Sequence, residues 1–190
     1  MTGAETDEAL MAAYIKGDRE AFGYLFDRYA TRLHRFFLQI FRDASVADDL
    51  LQMTFLKLHK ARATYNPKLS LKPWIFTIAS RVRLDEFRRR GRLKEDSDEE
   101  KLMSVDAKSA LKRFDEAGRE QELTRMVREV MARLPESYRA VLYLHRYEQM
   151  TFGEIAASLG ISENAAKVRA FRAYEQLRAE LGPLLKSEPN

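Results

Sequence analysis

The segment 151–177, TFGEIAASLGISENAAKVRAFRAYEQL, constrains the fold more than any other stretch of the chain. Thr151 and Glu154 make a T-x-x-E capping box ahead of apolar Ile155, Ala156 and Leu159, which starts a short helix. Gly160 can take the left-handed conformation that ends it. Ile161 can then tuck between two helices, and Ser162 N-caps a second one in which Ala165, Val168 and Leu177 face inward. A short helix, a glycine turn and a second helix form the helix-turn-helix pattern, whose second helix enters the DNA major groove by its first residues. Ser162, Glu163, Asn164, Lys167, Arg169 and Arg172 are the polar and basic residues such a helix presents. Lys and Arg contact phosphates or guanine edges, and Asn can read adenine. A surface hairpin with a solvated basic face is the plain alternative, and the choice rests on what lies upstream.

Upstream the chain reads as helix after helix. A short one over 7–16 closes at Gly17, and Asp18 caps a long one. The long helix carries Phe22, Leu25, Phe26, Tyr29, Leu33, Phe36, Phe37, Ile40 and Phe41 at three-and-four spacing, so one face is buried. Arg28, Arg32, Arg35 and Arg42 fall on the wetter side. Ser45 is the expected cap of the next helix, with Val46, Leu50, Leu51, Phe55 and Leu58 as its buried stripe. Asp48 and Asp49 complement the dipole of its first turn. With Gln52, Met53 and Leu56 they also make a mixed acidic and apolar face that could dock a partner. Asn66-Pro67 then breaks the chain into a loop, and Pro73 suits the first turn of a basic helix. Ile75, Ile78, Ala79 and Val82 are its inner stripe, and Arg81, Arg83, Arg88, Arg89 and Arg90 its charge. Tyr65, Trp74 and Phe76 lie in or beside the loop. Aromatics next to a basic helix can stack on unpaired bases, although a core position is the ordinary fate of Trp74 and Phe76.

Periodicity decays over 91–118, where five of the six residues from Glu95 to Glu100 are acidic. Residues 1–90 carry 16 basic against 11 acidic residues, 91–118 carry 6 against 8, and 119–190 carry 11 against 10. An acidic, solvated tether between two modules is the expectation. Beyond it, Leu123, Val127, Val130, Met131 and Leu134 make an amphipathic helix that Pro135 ends. Tyr138, Val141, Leu142 and Leu144 make the next, and the tail after Leu181 reads as frayed.

Other functions find no support. The chain has no cysteine, which excludes disulfides and thiolate metal sites. His34, His59 and His145 are scattered, with no metal-ligand spacing, phosphate loop or nucleophile elbow around them. No catalysis and no cofactor are expected. No apolar run reaches membrane-spanning length and the N-terminus lacks the regions of a signal peptide, so a cytoplasmic chain is expected. A sequence pI near 9.3 leans towards polyanion partners.

Three stretches taken in order resemble the bacterial RNA polymerase sigma factors of the extracytoplasmic-function type. VADDLLQMTFLKLHKA is similar to the region-two helix that grips the polymerase clamp. PWIFTIASRVRLDEFRRR is similar to the helix that meets the minus-ten element, and the chain from Leu134 to Ala173 is similar to region four, which reads the minus-thirty-five element. The resemblance implies an all-α protein of two small helical domains joined by an acidic linker: region two over 7–90, linker over 91–118, region four over 119–185. It implies polymerase contacts from Asp48, Asp49, Gln52 and Phe55. Single-strand contacts are implied near Tyr65, Asn66, Trp74, Arg81 and Arg83, and duplex contacts from Ser162, Asn164, Lys167, Arg169 and Arg172. Met53 stands where the family favours an acid and Arg81 where it often has Asn. The implied partners are core polymerase through its clamp and flap, promoter DNA and an anti-sigma factor. A stand-alone helix-turn-helix repressor or activator and a protein-binding adaptor are the other readings.

Overall fold

The structure, a computed structural model, describes residues 5–91, 125–127 and 129–185. All regular structure among these is helical. Helix α1 (Asp7–Ile15) starts where the Thr6 hydroxyl accepts from the Ala9 amide at 3.2 Å, and Gly17, at φ +102°, turns the chain into α2 (Arg19–Phe41). Asp18 caps α2 by accepting from the amides of Glu20 and Ala21. Asp7 ties the two helices together, accepting from Arg28 at 2.6 Å and from the Tyr29 hydroxyl at 2.5 Å.

Helix α3 (Ala44–Ala61) begins two residues earlier than a Ser45 cap would give. Asp43, not Ser45, is the cap, accepting from the Val46 amide at 3.2 Å. Its buried residues are Ala47, Leu50, Thr54, Phe55 and Leu58, while Val46 and Leu51 are only half-buried. Thr54 fits inside because its hydroxyl donates to the Leu50 carbonyl one turn back. After a 3-10 turn, Arg62–Thr64, comes α4 (Leu71–Arg89). Ser70 makes no side-chain cap there. The Leu71 amide donates to Glu8 of α1 at 2.9 Å, so a neighbouring helix caps α4.

The second half holds α5 (described over 125–127 and 129–133), α6 (Glu136–Arg146), α7 (Phe152–Leu159) and α8 (Glu163–Leu185). Between α6 and α7, Gln149 adopts a left-handed backbone at φ +53°. Of the tail expected to fray, residues 182–185 are helix, the end of α8, and 186–190 lie outside the described residues. The acidic tether and Leu123 lie outside the described residues.

The two halves share one core. Leu25, Leu33, Phe36, Phe37 and Phe76 from the first are continuous with Val141, Tyr143, Leu144, Ile155 and Leu159 from the second. Helix α7 packs on α4 and α6 on α2. A smaller cluster of Leu134, Leu142 and Ala173 closes α5, α6 and α8 on each other. Each large apolar side chain removed from water contributes about 1.5–3 kcal/mol, so this junction is a substantial part of the fold.

Candidate nucleic-acid and protein interfaces

The α7–α8 unit forms as its residue types require. The Thr151 amide donates to Glu154 Oε2 at 2.8 Å, and the Glu154 amide donates back to the Thr151 hydroxyl, completing the capping box. Gly160 sits at φ +70°, and the Ile161 amide closes onto the Ala156 carbonyl at 3.1 Å. Ser162 then caps α8, its hydroxyl accepting from the Ala165 amide at 3.1 Å.

The inner stripe of α8 differs from the sequence expectation. Ala166, Ala170 and Ala173 are buried, Ala165 and Leu177 are half-buried, and Val168 is 38% exposed. The helix is turned by about one position because three alanines let it approach α6 and α7 closely, where Val168 would hold it off. Ser162, Glu163, Asn164, Lys167 and Arg172 are exposed and Arg169 is half-buried. Lys167 pairs with Glu163 at 2.7 Å one turn earlier, a contact that water screens and DNA can displace. Phe171, 66% exposed, stands on the same outer side. Its apolar surface on that face was not singled out by charge-based reading.

On the opposite half, Asp48, Asp49, Gln52, Met53 and Leu56 all lie exposed on α3. Phe55 does not join them. It is buried against Phe26 and Phe22, with ring centroids 4.7 and 5.9 Å away, and so acts beneath the face rather than on it. Phe26 of α2, 41% exposed, extends the face with Met53 and Leu56. The sequence assigned Phe26 to the core because it falls on the right helical spacing. An open groove of about 500 Å³ lined by Tyr14, Arg19, Phe22, Phe55, Leu56 and His59 adjoins it. His34 Nε2 of α2 lies 3.3 Å from Oδ1 of Asp48 on α3. Tyr14 and His59 meet across the groove, hydroxyl to Nδ1, at 2.5 Å.

The third set is spread over the loop before α4 and the helix itself, and only Tyr65 and Trp74 of it touch. Tyr65 is buried rather than presented by a polar loop: its hydroxyl donates to the Leu69 carbonyl and its ring meets Trp74 at 5.2 Å. Trp74 is half-buried and Phe76 fully so. Asn66 is exposed, its side-chain oxygen accepting from the Lys68 amide at 3.0 Å, which shapes the turn. Arg81 is exposed. Arg83 is buried and ion-paired with Glu136 of α6. At the far end of α4 the Arg89 guanidinium, with Arg90, holds the buried Glu86 carboxyl below the usual range. Among the described residues no helix is long and apolar enough to span a membrane, and no acidic or histidine group could hold a metal.

Known proteins match this arrangement along most of its length. Residues 25–93 match the model of Sigma-70 region 2, and residues 124–177 that of Sigma-70, region 4. The RNA polymerase sigma factor CarQ of Myxococcus xanthus is 33% identical over 174 residues, covering 92% of this chain and 97% of that one. The ECF RNA polymerase sigma factor SigM of Mycobacterium tuberculosis is 28% identical, covering 94% and 86%. Among solved structures, CnrH in complex with the cytosolic domain of CnrY superposes with a TM-score of 0.67 at 26% identity, covering 94% of this chain and 99% of that one. The sigma factor RpoE of Bartonella quintana, solved with the anti-sigma factor NepR, shares the fold at a TM-score of 0.63 and 23% identity, covering 85% of this chain and 96% of that one.

Proposed function

The chain belongs to the extracytoplasmic-function sigma factors, and from that premise we propose how its residues divide the work of promoter selection. It is a transcription initiation factor that binds core RNA polymerase and directs it to specific promoters. The bond-making chemistry is the polymerase's, while this chain supplies contacts. It works with the transcription machinery of the cytoplasm.

The α3 face of Asp48, Asp49, Gln52, Met53 and Leu56, extended by Phe26, docks on the polymerase clamp. Phe55 holds that face in shape from below. The α8 face of Ser162, Asn164, Lys167, Arg169 and Arg172 reads the upstream duplex in the major groove. The loop before α4 and α4 itself, with Asn66, Trp74, Arg81 and Arg83, take bases as they leave the stack, and Tyr65 braces Trp74. Residues 7–90 and 119–185 are the working domains, on either side of the tether 91–118. Each makes few contacts alone. Polymerase fixes both, so that the second contact is made at a high effective concentration. Capture of unpaired bases then draws the duplex towards the melted state.

The observation that carries this reading is that one chain exposes both a mixed apolar and acidic face on α3 and a capped helix-turn-helix on α7–α8. A stand-alone repressor has no use for the first and an adaptor none for the second. An anti-sigma factor is a further partner, as RpoE was solved with one. Run-off transcription with purified core polymerase tests the function: promoter-specific transcripts should appear only when the chain is added. Their absence across a genomic library, with tight duplex binding by the free chain, would point to a repressor instead.

A further inference from the structure

Hydrogen bonds at both ends fix the backbone between Tyr65 and α4. The Leu69 amide donates to the Asn66 carbonyl at 3.0 Å, and the Lys68 amide to the Asn66 side chain at 3.0 Å. The Tyr65 hydroxyl donates to the Leu69 carbonyl. Burial, with the negative charges of Glu8 and Asp7 nearby, pushes that hydroxyl above the usual tyrosine range, so it keeps its proton and stays a donor. The far end of the loop is held from α1, where Glu8 Oε1 accepts from the Leu71 amide at 2.9 Å. Ser70, at the cap position, makes no side-chain bond. A cap accepts from the second or third amide of its helix, and here the third residue is Pro73, which has none. Leu71 is fully buried, and its amide loses its partner if the Glu8 carboxylate is removed.

Helix α1 is itself firmly seated. Leu10 and Met11 are fully buried, and Asp7 is held by Arg28 and Tyr29 of α2. Glu8 therefore ties the first turn of α4 to a fixed support, and in that turn Trp74 packs on Tyr65 at 5.2 Å. The side chains of Asn66, Lys68 and Leu69 stay exposed, Leu69 by 61%, on a backbone that is pinned before any base arrives. A surface ordered in advance loses less entropy on binding, and it discriminates because it does not reshape itself around a wrong ligand. We propose that Glu8 is a positioning residue for base capture, its carboxylate holding the loop 66–70 and the first turn of α4 in the form that selects unpaired bases. This rests on the reading of Asn66 and Trp74 as strand contacts. Glu8 acts through the Leu71 amide and the turn that carries Trp74, and touches no base itself.

Trp74 is the chain's single tryptophan, so its fluorescence reports this turn directly. In the full-length chain, Glu8→Ala should raise acrylamide quenching of Trp74 with the far-ultraviolet circular dichroism unchanged. Glu8→Gln, which keeps an acceptor oxygen, should match wild type. The second readout uses the chain assembled with core polymerase. Single strands of about 20 nucleotides are selected from a random pool by the wild-type assembly, and fluorescence anisotropy gives the ratio of their affinity to that of the unselected pool. Glu8→Ala should lower this ratio by about 2- to 30-fold, the span that loss of a side-chain cap represents, and Glu8→Gln should keep it. A chain that is merely less stable would weaken both affinities and leave the ratio alone. Should Glu8→Ala fail to fold, Tyr65→Phe, which removes the bond to Leu69 and keeps the ring, must lower the ratio in its place. Quenching and ratio both unchanged in folded Glu8→Ala would overturn the positioning role and leave the strand reading standing. A loosened Trp74 with an unchanged ratio would overturn the proposal by taking the loop out of base selection, and promoter-specific transcription with core polymerase remains the separate measure of the proposed function. Glu8→Gln as defective as Glu8→Ala would overturn the hydrogen bond as the cause.

Discussion

Single residues carry the sharpest tests of the helix-turn-helix. Gly160 occupies the left-handed region with nothing within 4 Å of where a Cβ would stand. Gly160→Ala therefore meets no clash, and its cost is backbone strain alone, about 1–2 kcal/mol. A urea titration read by circular dichroism measures it. Lys167→Ala and Arg172→Ala should each weaken upstream duplex binding in the holoenzyme and lower its salt slope by about one. An unaltered slope would place those side chains away from phosphates. Glu86 offers a test by pH. Its carboxyl is held below the ordinary 4.5 chiefly by hydrogen bonds from Arg89, so the folded state favours the charged form. That stability is present above the ordinary carboxylate range and is lost as pH falls through the folded value. Glu86→Gln should be less stable than wild type at pH above about 6, the gap closing as pH falls, so that the acid limb of its stability profile is flatter.

At the scale of elements, caps and periodicity made most helices readable, and the departures have identifiable causes. Asp18, Thr151, Gly160 and Ser162 act as their residue types suggest. Asp43 was passed over for Ser45 because both are good caps two positions apart, and only the Val46 amide shows which is used. Asp43→Ala should cost about 1 kcal/mol and Ser45→Ala close to nothing, by thermal melting. The inner side of α8 was misjudged because alanine weighs little in an apolar pattern, although closeness of approach is what seats that helix. Phe26 was misplaced for a related reason, since periodicity marks a stripe but not where its edge meets water; it placed Phe55 in the buried stripe correctly, and only the resemblance carried Phe55 to the docking face. The start of α4 could not be read locally, since its cap is Glu8, 63 positions away. For α3, Asp49→Ala with Gln52→Ala should weaken core polymerase binding while duplex binding by the chain persists. Unchanged core affinity would remove the docking face.

At the scale of the whole molecule, the order of the motifs gave the family, while the acidic tether expected between its halves lies outside the described residues. The packing of one half on the other was not legible, because it joins Phe36 to Tyr143 and Arg83 to Glu136 across more than fifty positions and no local pattern marks such pairs. Phe36 is fully buried and meets Phe37, Phe76 and Tyr143. Phe36→Ala should cost about 3–5 kcal/mol and lower the melting of both halves together, as scanning calorimetry would show. Gln149 adds something to that junction. A side chain other than glycine held at φ +53° costs about 1 kcal/mol, and it is held there by the loop that seats Glu148. The loop between α6 and α7 thus carries a small conformational strain, and Gln149→Gly should release it and raise stability by up to about 1 kcal/mol, read by thermal melting.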